Sequence, residues 1–173
     1  WMSFLHGVLP EDHGNTEDIQ VENGIPYTMD SNYPSILRVV KEARPDAEVG
    51  AIYNWIGITG IVGSADDTGI TNMRISGQEN LVKYIEGGYV SEKKPTLLYL
   101  HLNNPDSVGH SKGHHTPEYY ACLEETDAHI GRIYAAYEAA GMIEDTLFIV
   151  TSDHGGVKVV NSSGVVSGTH GNL

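Results

Sequence analysis

Thr96-Leu97-Leu98-Tyr99-Leu100-His101-Leu102 and Thr146-Leu147-Phe148-Ile149-Val150-Thr151 decide the fold class. Both are short apolar runs without alternation, the pattern of strands buried on both faces of a parallel sheet. Between them lies Thr116-Pro117-Glu118, a helix start with a Thr cap, Pro at the first position and an acid in the first turn. That helix is expected to run to Ala140, with Cys122, Ile130, Ile133, Tyr134 and Tyr137 among its buried residues, and Gly141 ends it. Working outward, Pro34 sits in the first turn of a helix carrying Ile36, Leu37, Val40 and Ala43. Val49–Tyr53 reads as a strand, and Gln78–Glu86 as a helix with Leu81, Val82 and Ile85 on one side, stopped by Gly87-Gly88. Residues 15–33 and 57–72 read mostly as loop. The alternation of helix and strand predicts an α/β layered fold, largely parallel, with helices on both faces.

The chain has 173 residues, 40% of them apolar and 19% charged, which suits one compact domain and excludes a disordered chain. Ten Lys and Arg stand against 23 Asp and Glu, a formal charge of -13. That balance argues against binding a nucleic-acid polymer. No apolar run reaches the ~20 residues of a membrane span. Cys122 is the single cysteine, so neither an internal disulfide nor a cysteine-rich metal site can form. It reads as a packing residue.

Ligands of open α/β sheets gather beyond the carboxyl ends of the strands. Both strong runs are followed by polar clusters: Asn103-Asn104-Pro105-Asp106-Ser107-Val108-Gly109-His110 after the first, and Ser152-Asp153-His154-Gly155-Gly156 after the second. Gly168-Thr169-His170-Gly171 forms a third. Imidazole and carboxylate without thiolate are donors for zinc or manganese. Asp153 and His154 are neighbours whose side chains diverge, which suits two ions better than one. His114 and His115 are equally compatible with a role near substrate and with plain exposure, whereas His6, His13, His101 and His129 read as structural or surface residues.

Asp106-Ser107-Val108-Gly109-His110, Thr151-Ser152-Asp153-His154-Gly155 and Gly168-Thr169-His170-Gly171 resemble the downstream metal motifs of the alkaline phosphatase superfamily. Among its branches the chain is most similar to the type I phosphodiesterase/nucleotide pyrophosphatase family. Thr116–Tyr120 with the following helix, the 145–150 stretch, and Trp1–Gly14 carry the rest of the likeness. The resemblance implies an alkaline-phosphatase-like layered fold, of which residues 1–173 form one partial catalytic domain truncated at both ends. Asp106, His110 and His170 would hold one divalent ion, and Asp153 and His154 a second, most simply two zincs, with manganese as the other choice.

The resemblance further implies hydrolysis of a small phosphate ester or nucleotide through a covalent intermediate on a Ser or Thr. That nucleophile, and an Asp on a first strand, would lie upstream of Trp1. Ser3 and Thr16 are poorly placed to replace it. The parent would then be an enzyme, extracytoplasmic by analogy with its relatives, and this piece inactive. A missing central strand would leave a sheet edge open to self-association. Three alternatives stand beside this reading: a sulfatase, a phosphonoacetate-type hydrolase or phosphomutase branch, and a non-catalytic metal-binding or interaction domain.

Overall fold

The computed structural model describes residues 1–13, 33–62 and 69–171. Strand β1 (Val49–Tyr53) is the centre of a three-stranded parallel sheet, between β2 (Thr71–Arg74) and β3 (Leu97–His101). Its register sets Ala51 opposite Asn72 and Tyr99, and Tyr53 opposite Arg74 and His101. Every residue of β1 is buried. On one face Val49, Ala51 and Tyr53 pack against Leu5 of α1 (Met2–His6), Leu37 of α3 (Ile36–Ala43), and Ile58 and Val62 of α4 (Gly57–Val62). The short helix α2 (Pro10–His13) follows α1.

On the other face Ile52 packs with Leu81 and Val82 of α5 (Gln78–Tyr84), Val90 of α6 (Val90–Lys93), and Ile133 and Tyr137 of α8 (Pro117–Ala139). Helices therefore cover both faces, and each large apolar side chain so buried contributes about 1.5–3 kcal/mol. Gly50 is required here, because a Cβ would run into the Tyr89 hydroxyl that donates to Glu48 at 2.9 Å.

Several boundaries move from the sequence reading. The first-turn proline, Pro34, precedes the cap instead: Ser35 Oγ accepts from the Arg38 amide at 3.3 Å, and α3 starts at Ile36. The described parts of the 57–72 segment, 57–62 and 69–72, are not mostly loop. They contribute to α4 and β2, because Ile58, Val62 and Ile70 reach the core. The Ser64–Asp67 turn and the 15–32 stretch with Thr16 lie outside the described residues. Gly87-Gly88 bends the chain without stopping it: a wide turn over Ile85–Tyr89, with Gly88 at φ 130°, leads into α6. Thr116 caps α8 as expected, its hydroxyl accepting from the Tyr119 amide, and the chain leaves the helix at Gly141 with φ 67°. Tyr134 is exposed and Ile130 half-buried, while Thr126 and His129 take buried places.

The largest correction concerns 146–151. These residues form no strand, and Leu147, Ile149 and Val150 are 84%, 69% and 64% exposed. The composition suits a strand, but a strand needs a neighbour to bond. Among the described residues the outer edge of β3 is unpaired, and 147–151 make no backbone–backbone hydrogen bond. A cleft of about 1690 Å³ separates the two, roofed by Leu123, Ile130 and Ile133 of α8 and floored by Trp1, Phe4 and Leu37. The chain ends instead in an antiparallel hairpin, β4 (Gly155–Val160) with β5 (Val166–Gly171), which the glycine-rich clusters did not announce.

α8 is clamped to α5 by polar groups. His129, buried, accepts a hydrogen bond from Gln78 Nε2 on Nδ1 and donates from Nε2 to Glu79 at 3.0 Å. Arg132 donates to Glu79 at 2.6 Å and to Glu86. Chiefly through Arg132, the Glu79 carboxyl is held at about 2. An acid depressed in the fold stabilises it above its unfolded value of ~4.3, and that contribution fades as pH falls through 2. Urea midpoints should therefore drop between about pH 4.5 and 2, with a shallower drop in Glu79→Gln. An identical pH profile in the variant would show that this clamp does not couple to folding.

Candidate metal centre

Because β1 and β3 run parallel, their carboxyl ends open on the same side, and the site is built there. Asn54, just past β1 and 9% exposed, holds the exits in place. Its Oδ1 accepts from the Asn103 amide at 3.2 Å, and its Nδ2 donates to the Ile75 carbonyl at 2.8 Å. Gln78 Oε1 accepts from the Asn104 amide at 3.2 Å. The chain leaving β3 is thus fixed at Asn103 and Asn104, immediately before α7 (Asp106–Lys112). Sequence reasoning placed Asp106 and His110 in a loop. On α7 they are four residues, one helical turn, apart and share a face.

His170 comes from β5, where it pairs with Gly156 of β4. The helix and the hairpin meet at the imidazoles. His110 Nε2 and His170 Nε2 are 2.9 Å apart, and Asp106 Oδ1 is 3.4 Å from the first and 3.8 Å from the second. The three donors lie within 4.8 Å of one another. A tetrahedral ion with ~2.0–2.1 Å bonds spaces its donors about 3.3 Å apart, so this triangle has the size of one face of a zinc polyhedron. Asp106 Oδ1 is inaccessible and has no hydrogen-bond partner among the described residues, which is what a carboxylate oxygen kept for a cation looks like.

His154 stacks on His170 with ring centroids 3.7 Å apart, and Asp153 Oδ2 is 3.5 Å from His154 Nε2. All five residues singled out from the sequence therefore gather at this corner, although Asp153 and His154 stand outside the three-donor triangle. His154 Nδ1 is 2.9 Å from the Gly155 carbonyl, which leaves Nε2 facing Asp153. The Asp153 charge also reaches Tyr99 and His101. Burial pushes the Tyr99 hydroxyl up, and Asp153 adds to that. Burial pushes His101 down against the pull of Asp153, so this ring, between Trp1 and Trp55, is an uncharged wall of the site.

Two features escaped the sequence. One is Asn54, which nothing in its neighbourhood marks. The other is His114, 3% exposed beneath the triangle; its place after Gly113 left it undecided. His115, at φ 62°, stays with Tyr119 and Tyr120 at the rim.

His110 Nδ1 is 3.1 Å from the Gly168 carbonyl. A carbonyl only accepts, so Nδ1 carries the proton and Nε2 presents a lone pair toward Asp106 and His170. Long-range proton–nitrogen spectra at neutral pH should show His110 as the Nδ1–H tautomer. An Nε2–H tautomer would contradict this arrangement.

Residues 49–169 match the type I phosphodiesterase / nucleotide pyrophosphatase family. An ectonucleotide pyrophosphatase/phosphodiesterase of Caenorhabditis elegans is 26% identical over 93% of this chain and 22% of its own length. Murine ectonucleotide pyrophosphatase/phosphodiesterase 5, in an inactive form in complex with AMP, superimposes with a TM-score of 0.62 at 19% identity, over 94% of this chain and 46% of that one. The human protein gives 0.60 at 19%, over 91% and 45%. The chain thus spans about a fifth of the curated relative and just under half of the solved ones. With the matched segment running from β1 to β5, the chain belongs to the type I phosphodiesterase / nucleotide pyrophosphatase family.

Proposed function

We propose that this chain is the metal-holding part of a hydrolase acting on small phosphodiesters or nucleotides, with two divalent ions at its centre. The observation that carries the reading is the Asp106, His110, His170 triangle at the carboxyl end of a parallel sheet. Asp106, His110 and His170 are assigned to one ion, zinc by donor chemistry, and Asp153 and His154 to the second. When bound, such ions supply Lewis acidity toward the entering and leaving oxygens of a phosphoryl group. The chain's own residues orient the donors: Gly168 fixes the His110 tautomer, and Asp153 faces His154.

The nucleophile is assigned to the polypeptide before Trp1. Of the hydroxyls flanking the cluster in sequence, Ser107 Oγ accepts from Asn103 Nδ2 at 2.8 Å, and Ser152 Oγ donates to the His154 carbonyl at 2.7 Å. Trp1 packs on Tyr99 and His101, in the carboxyl half of β3. A strand leading into Trp1 would therefore run parallel to β3 in the cleft between β3 and 147–151. Apolar side chains line both of its faces there, as a doubly covered strand requires. In a chain without that strand, the same edge is open to self-association.

Calorimetric titration should find zinc bound by this chain, with affinity lost in His110→Ala. Equal affinity in wild type and His110→Ala would move the ion elsewhere. p-Nitrophenyl phosphodiester hydrolysis should be at least ~10⁴-fold slower in this chain than in a longer one that includes the strand. Rates within tenfold would place the nucleophile inside residues 1–173. A zinc-loaded longer chain without activity would favour the non-catalytic reading.

A further inference from the structure

His114 is buried under the triangle, yet neither ring nitrogen has a hydrogen-bond partner among the described residues. Its nitrogens stand outside the three-donor set, so the ring is no further member of the triangle and is held there for its shape. What surrounds it is a cage of glycines from three elements: Gly109 on α7, Gly156 on β4 and Gly168 on β5. A Cβ on Gly109 or Gly156 would run into the ring, and one on Gly168 would strike both the ring and the Gly109 carbonyl. Tyr119, in the first turn of α8, closes the cage edge-on at 5.0 Å. The backbones of α7 and the hairpin thus touch directly where Gly168 meets the Gly109 carbonyl, and beside that contact this ring alone fills the space between Gly109 and Gly156.

Gly168 is also the residue whose carbonyl accepts from His110 Nδ1. We propose that His114 is a positioning residue: its ring is the spacer that sets the gap between α7, carrying Asp106 and His110, and the β4–β5 hairpin, carrying His154 and His170. The inference deepens the metal-binding reading above and rests on it. Removing the ring lets the hairpin settle toward α7. That shifts the Gly168 carbonyl off His110 and distorts the triangle. Adding a methyl to Gly156 forces the ring or the hairpin aside, with the same consequence. Burial pushes His114 toward its neutral form, in keeping with an uncharged filler.

The test uses the 173-residue chain with zinc titration, cobalt(II) absorption as a signature of donor geometry, and far-UV circular dichroism to follow the fold. His114→Ala should keep the fold and lose about 10- to 100-fold in zinc affinity, the range seen when groups supporting a metal ligand are removed. Its cobalt bands should shift, and the His110 Nδ1–H signal should weaken. Gly156→Ala should do the same. The double variant should lose less than the two single losses combined, because each change relieves the other. Wild-type zinc affinity and cobalt bands in a folded His114→Ala would overturn the proposal, as would strictly additive losses. If His114→Ala does not fold, Gly156→Ala alone decides it by the same two readouts. A wild-type chain that binds no zinc sinks the metal reading itself, a separate outcome.

Discussion

Everything at the site depends on the parallel alignment of β1 with β3. The two strands share a register from Val49 opposite Leu97 to Tyr53 opposite His101, and their carboxyl ends open together. β1 is buried on both faces, so its position is not negotiable: shifting it by one residue would exchange Ala51 and Ile52 between two different hydrophobic layers. With that frame fixed, Asn54 and Gln78 hold the chain leaving β3, and α7 starts where Asp106 must stand. The site is a consequence of strand direction first and of side-chain chemistry second.

The hairpin is held by different means. It belongs to a separate two-stranded sheet and reaches α7 through close glycine contacts, the His110 to Gly168 bond and the stacked His154 and His170 rings. A donor set shared between a helix and a hairpin needs its two halves set at a defined distance. Here Gly168 meets the Gly109 carbonyl directly, and beside that contact the distance is filled by a single ring. The polar clamp of Glu79, Glu86, His129 and Arg132 ties α8 to α5 and the turn after it, and reaches the donor segment through Gln78, which bonds both His129 and the Asn104 amide.

Much of this was legible in the residues. β1 and β3 follow from apolar runs that find each other as neighbours, and α8 from the local Thr116-Pro117 start. The five candidate donors stood out because His and Asp came in three ordered clusters, two of them directly after apolar runs. What failed was whatever depends on a neighbour. The 146–151 run has a strand's composition, but strand pairing belongs to two segments, and the place beside it in the sheet is open among the described residues. β2 carries only Thr71–Arg74, half-buried and polar, and is a strand because β1 lies alongside. His114 could not be read from its own surroundings, since the glycines that cage it are contributed by residues 109, 156 and 168.

The central claim is that Asp106, His110 and His170 together hold a divalent ion. X-ray absorption at the zinc edge, on this chain loaded with one equivalent, tests it most directly. The account predicts two imidazole nitrogens and one carboxylate oxygen at about 2.0–2.1 Å, with solvent completing four-coordination and no sulfur shell. A shell of oxygens without imidazole scattering, or a sulfur at about 2.3 Å from Cys122, would contradict it.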